Sequence, residues 1–140
     1  MIYKKFKTVI ILAVMAALCM NGCQTSASSE EMKTTETAYM KISAEDAKEI
    51  MDNTDDFVII DVREDDEYAS GHIAGALLIP YGKIEGRAET ELTDKEQTIL
   101  VYCRSGRRSA IAAQTLAELG YTDVRDFGGI IDWPYDIEVN

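Results

Sequence analysis

From Ser43 onward, short runs of apolar residues alternate with stretches whose apolar residues recur at helical spacing. Ser43 followed by Asp46 has the spacing of a capping box and predicts a helix through about Met51. Phe57-Val58-Ile59-Ile60 is a continuous apolar run ending in Asp61, the pattern of a strand buried on both faces. Glu64–Ala69 predicts a short polar helix closed by Ser70-Gly71, and Ala76–Ile79 a second short strand stopped by Pro80. Ile84–Glu91 reads as a further short helix, and Thr98–Tyr102 as the strongest strand. Arg108–Leu119 sets Ala112, Ala113, Leu116 and Leu119 on one helical face, with Gly120 as its stop. Val124–Phe127 is a last strand, followed by Gly128-Gly129 and a turn towards Trp133. Strands separated by helices pair in parallel through right-handed crossovers, which leaves helices on both faces of an open sheet. The body is therefore expected to be α/β.

The N-terminal pattern is different. Lys4, Lys5 and Lys7 precede Val9–Met20, twelve apolar residues without a break, and then come Asn21-Gly22-Cys23. A helix of that length spans about 18 Å, short of a hydrocarbon core of about 30 Å, so residues 1–22 are expected to be an export signal. A short uncleaved membrane anchor is the alternative. Gly22-Cys23 resembles a bacterial lipobox, which implies cleavage before Cys23 and acylation of that cysteine. Met20 and Asn21 depart from the usual pattern. Residues 24–38 hold seven Ser or Thr in fifteen positions, too little apolar surface to offset ordering entropy, so residues 23–38 are expected to be a lipid anchor and disordered tether. The domain is then residues 39–140, exported, held at a membrane through Cys23 and facing the extracytoplasmic side.

Charge sharpens that division. Of 140 residues, 14 are Lys or Arg and 25 are Asp or Glu, a net charge of −11. Only the three early lysines precede Glu30, so the chain from Cys23 onward is more acidic still. Such a body repels a phosphate backbone, and no nucleic-acid partner is expected. The three cysteines, at 19, 23 and 103, have neither metal-ligand nor CxxC spacing, and neither a disulfide framework nor a metal site is implied.

Candidate chemistry falls at one point. In open parallel sheets the working site lies beyond the carboxyl ends of the strands. Cys103 follows directly on the strongest strand, and a helix begins shortly after the loop Cys103-Arg104-Ser105-Gly106-Arg107-Arg108-Ser109. Inward-facing amides and a helix N-terminus both favour a thiolate. Three arginines in an acidic body suggest an anion pocket. A lone cysteine is more often a buried structural thiol, but such a thiol sits among apolar neighbours rather than at the head of Arg104–Ser109. Some of Arg104, Arg107 and Arg108 are expected to be solvated instead.

The body resembles a single rhodanese-like domain. The resemblance is carried in order by Ile60-Asp61-Val62-Arg63, Glu67-Tyr68, Gly71-His72-Ile73, Gly75-Ala76, Ile79-Pro80, Cys103–Ser109, and Gly128-Gly129-Ile130 with Trp133. It implies a rhodanese-like fold, an open parallel five-stranded sheet with helices on both faces. It also implies a sulfurtransferase whose Cys103 takes sulfane sulfur from a donor such as thiosulfate or a persulfide. The sulfur is then passed to cyanide or a thiol, a thiol redox protein being one candidate partner, without a cofactor. Backbone amides from Arg104 to Ser109 would cradle the persulfide. Arg104, Ser105, Gly106, Arg107, Arg108 and Ser109 are thus the candidate substrate-binding residues, with Asp61 and Arg63 in structural support. His72 is expected to make a structural hydrogen bond, and Trp133 to anchor the core.

Two other readings remain open on sequence alone. One is a phosphatase or arsenate reductase, whose loops place five residues between Cys and Arg. Here four separate Cys103 from Arg108, and Tyr102 stands where a histidine would precede the cysteine. The other is a catalytically silent binding module on the same fold.

Overall fold

A computed structural model describes residues 38–139. The export signal, Cys23 and the tether expected before them lie outside the described residues, as does Asn140. The elements run β1 (Met40–Lys41), α1 (Ala44–Asn53), β2 (Phe57–Asp61), α2 (Asp65–Ala69), β3 (Leu77–Leu78), α3 (Ile84–Glu91), β4 (Thr98–Cys103), α4 (Arg107–Glu118) and β5 (Val124–Gly129). A 3-10 turn at Tyr81–Lys83 leads into α3, and another at Ile130–Asp132 follows β5.

The five strands form one parallel sheet in the order β1-β5-β4-β2-β3. Period-two alternation sends β4 side chains to opposite faces. Ile99, Val101 and Cys103 join Ile60, Ile84, Ala112, Ala113 and Leu116 on the face covered by α3 and α4. Leu100 and Tyr102 join Ala47, Ile59, Ile73 and Phe127 on the face covered by α1. Ile99, Leu100 and Val101 are fully buried; each such side chain contributes about 1.5–3 kcal/mol relative to an exposed one. β4 is thereby the most enclosed strand, and its carboxyl end a rigid place to mount a reactive group.

Local signals set the helix ends. Ser43 Oγ accepts the Asp46 N–H at 3.0 Å while an Asp46 oxygen accepts the Ser43 N–H at 3.2 Å, the predicted capping box. At the far end of α4 the Tyr121 N–H donates to the Leu116 carbonyl and the Gly120 N–H to that of Ala117, a Schellman closure.

The structure departs from the sequence pattern in its details. β1, two exposed residues paired with Arg125 and Asp126, carries no hydrophobic alternation; the family resemblance implied a fifth strand without placing it. β3 shrinks to Leu77–Leu78, and β5 continues through Gly129. Trp133 is half-buried against the α1-side core, with Phe127 5.5 Å and Tyr135 4.9 Å from it between ring centres.

Candidate active site

The loop after β4 folds back over the sulfur of Cys103. Gly106, the N-cap of α4, has φ +92°, a left-handed conformation that residues with a Cβ rarely adopt. That geometry turns its N–H onto Cys103 Sγ at 3.0 Å. Ser109, at the third position of α4 and fully buried, places Oγ 3.6 Å from the same sulfur. Its hydroxyl donates to the Gly106 carbonyl at 3.1 Å or the Gly128 carbonyl at 3.3 Å. Deprotonation of the thiol frees that hydrogen to turn towards sulfur.

These contacts tune the thiol. Burial pushes Cys103 up, but the Ser109 hydroxyl and the backbone amides of Ser109, Ser105 and Gly106 outweigh it. The thiol ends below its ordinary value, with a larger thiolate fraction near neutrality. Cys103 is the one free cysteine among the described residues and is only 1% exposed.

The three loop arginines divide. Arg104 and Arg107 are exposed. Arg108 is half-buried and bound bidentately to Glu67, Nη1 to Oε2 at 2.6 Å and Nη2 to Oε1 at 2.7 Å. Arg108 holds the Glu67 carboxyl at about 2, so the pair stays ionised at all ordinary pH. Glu67 in turn raises the guanidinium, and the charge of Cys103 adds to that.

Asp61 and Arg63 pair at the neighbouring corner. Both are buried; Arg63 Nη2 donates to Asp61 Oδ2 at 2.6 Å and to the Gly71 carbonyl at 2.7 Å. The arginine also lies 5.7 Å from the Tyr102 ring centre, and the Tyr102 hydroxyl accepts the Ile73 N–H at 3.1 Å. His72 is buried and its ring is engaged by Tyr68: Nδ1 lies 3.0 Å from the Tyr68 carbonyl, and the ring stacks on Tyr68 at 3.8 Å.

Sequence reasoning assigned no role to three groups that hold the loop. Glu67 lies 41 residues before Arg108 in the chain. Asp126 is buried and accepts the Gly128 N–H at 3.0 Å, bracing a bulge at the end of β5. That bulge puts one extra residue between the pairs Val101–Asp126 and Cys103–Gly129, and so brings Gly129 under the loop. The Asp126-Phe127-Gly128-Gly129 run was the available signal, since Asx residues before glycine mark irregular strand ends.

Comparison with known proteins agrees with this geometry. Residues 43–134 match the rhodanese-like domain family. Thiosulfate sulfurtransferase PspE of Escherichia coli is 42% identical over 73 residues, which cover 52% of this chain and 70% of that protein. Thiosulfate sulfurtransferase GlpE of Coxiella burnetii is 40% identical over 96 residues, covering 68% of this chain and 87% of the relative. A solved structure described as a rhodanese with anions from E. coli superposes with a TM-score of 0.57 at 37% identity, covering 60% of this chain and 99% of that one.

Proposed function

The chain belongs to the rhodanese-like domain family and is a sulfurtransferase, and from that premise we propose that sulfur passes through a persulfide on Cys103. The thiolate attacks the outer sulfur of thiosulfate, forming Cys103–S–S⁻, and the S–S bond of the donor breaks with its electron pair leaving on sulfite. Cyanide then attacks the outer sulfur to give thiocyanate and restore the thiolate; a thiolate acceptor leaves as its own persulfide. Each step conserves charge and needs no added oxidant or reductant.

One observation carries this reading: a thiol held below its ordinary value at the end of β4, capped by the Gly106 N–H at 3.0 Å. The same amides that stabilise the thiolate stand where the negative charge of the persulfide forms. Exposed Arg104 and Arg107 at the rim favour approach of an anionic donor to an otherwise acidic protein.

The reading extends to the cell. Cleavage before Cys23 and its acylation would hold the domain at a membrane surface on the extracytoplasmic side. It rests on the twelve-residue apolar segment Val9–Met20 and on Gly22-Cys23. A thiol redox protein in that compartment is the acceptor class we favour, because Cys103 there needs protection from irreversible oxidation.

The deciding experiment is intact-mass spectrometry after incubation with thiosulfate. The native chain gains about 32 Da, one sulfur, and loses it on adding cyanide. Sulfur loading of a Cys103→Ser chain to the same extent would overturn the assignment.

A further inference from the structure

Arg108 sits at the second position of α4, beside the amides that face Cys103. A guanidinium in that place, next to a helix N-terminus, is the group a loop uses to hold a phosphate or arsenate through two parallel N–H bonds. Here the end-on fork of Nη1 and Nη2 is taken, which leaves only Nε–H and the second N–H of each Nη. Glu67 accepts Nη1 and Nη2 at 2.6 and 2.7 Å, and the positive charge is cancelled where an oxyanion would need it.

Glu67 is not free to swing away. It lies in α2, its side chain is 25% exposed, and its Oε2 also accepts the Glu64 N–H at 3.2 Å. Arg104 and Arg107, the two loop arginines left over, are exposed.

We propose that Glu67 is a specificity-determining residue: by occupying Arg108 it keeps tetrahedral oxyanions out of the Cys103 cradle and reserves that cradle for a single sulfur atom. The inference rests on the sulfur-transfer reading of the same loop. Thiosulfate offers one sulfur to the thiolate and leaves its oxygens outside, near the rim arginines. Phosphate must bring its oxygens down among the amides, and needs a guanidinium there to balance them. A carboxylate beside the cradle withholds that balance and adds repulsion of its own.

The test is isothermal titration of the full chain in detergent with inorganic phosphate and with arsenate, at fixed ionic strength. Glu67→Ala frees the Arg108 fork and is expected to tighten phosphate binding at least tenfold. Glu67→Gln, which keeps a hydrogen-bond acceptor but no charge, should tighten it at least threefold. The gain should vanish in the Glu67→Ala/Arg108→Ala double variant. Phosphate should also protect Cys103 from iodoacetamide in the single variants, which locates the anion at the cradle. Thermal melts establish folding, and Glu67→Gln still tests the idea if Glu67→Ala does not fold. A gain below threefold in every folded Glu67 variant overturns the proposal. So does a gain that survives removal of Arg108. Sulfur loading of the native chain is read separately by mass: its failure would refute the transfer reading, while the anion titration judges Glu67 on its own.

Discussion

Gly129 lies so close to Arg104 that a methyl group on it would stand 2.3 Å from the Arg104 carbonyl oxygen and 2.6 Å from the Ser105 Cα. The contact follows from the bulge at Gly128, which sets Gly129 opposite Cys103. The Ile131 N–H donates to the same Arg104 carbonyl at 3.3 Å. The roof of the cradle thus rests directly on the end of β5.

Gly129→Ala should therefore lift the loop. Its φ of −122° suits any residue, so the effect is purely steric. Backbone cannot yield as a flexible side chain would, and the expected cost is about 1–3 kcal/mol. Displacing the Ser105 and Gly106 amides should also slow sulfur transfer at least tenfold, about 1.4 kcal/mol of lost stabilisation. Thermal melts and thiosulfate–cyanide turnover check both parts. A variant with the parent's melting temperature and rate would show that the loop has slack.

Ser109→Ala removes the hydroxyl beside Cys103 Sγ and leaves the burial that opposes ionisation. A hydrogen bond to a charged group is worth about 1.5–3 kcal/mol, so losing it should move the thiol up. Alkylation of Cys103 by iodoacetamide increases with pH as thiolate forms. Its midpoint should move up in the variant, and at pH 7 the rate should fall. A midpoint that stays in place or moves down contradicts the role given to Ser109.

Asp61→Asn leaves the buried Arg63 guanidinium without its counter-charge. Breaking one side of a buried pair costs about 3–5 kcal/mol. Arg63→Met leaves the fully buried Asp61 carboxylate without its counter-charge and should cost a similar amount. The double variant Asp61→Asn/Arg63→Met is expected to be more stable than the sum of the two losses predicts. Denaturant melts of the four proteins provide the cycle, and strict additivity would mean the pair does not act as a unit.

Cys23→Ala should block processing at the expected lipobox. Cells expressing it should accumulate a precursor about 22 residues longer, without labelled fatty acid. Cleavage and labelling at the same site in the variant would exclude lipidation of Cys23.

Several features needed only neighbouring residues and were legible in the chain. The Ser43–Asp46 cap, the Gly120 stop of α4 and the apolar core of β4 depend on groups within a few positions of one another. Backbone geometry converts their spacing directly into contact. The Cys103–Ser109 loop was legible for the same reason, and so was the Asp61–Arg63 pair, two residues apart. Family resemblance supplied the fifth strand, because β1 is two exposed residues without periodicity.

Glu67 and Arg108 are a different case. Both residues are plain in the sequence, but they meet only because the sheet order β1-β5-β4-β2-β3 sets the carboxyl ends of β2 and β4 side by side. The helices that follow those ends, α2 and α4, then bring the two charges within 2.6 Å across 41 residues of chain. Gly129 reaches Arg104 in the same way, through the neighbouring β4–β5 register and its bulge. Residue spacing along the chain fixes contacts within an element and its turns. Which arginine remains available to an anion is decided by long-range strand order, a property that no local pattern encodes.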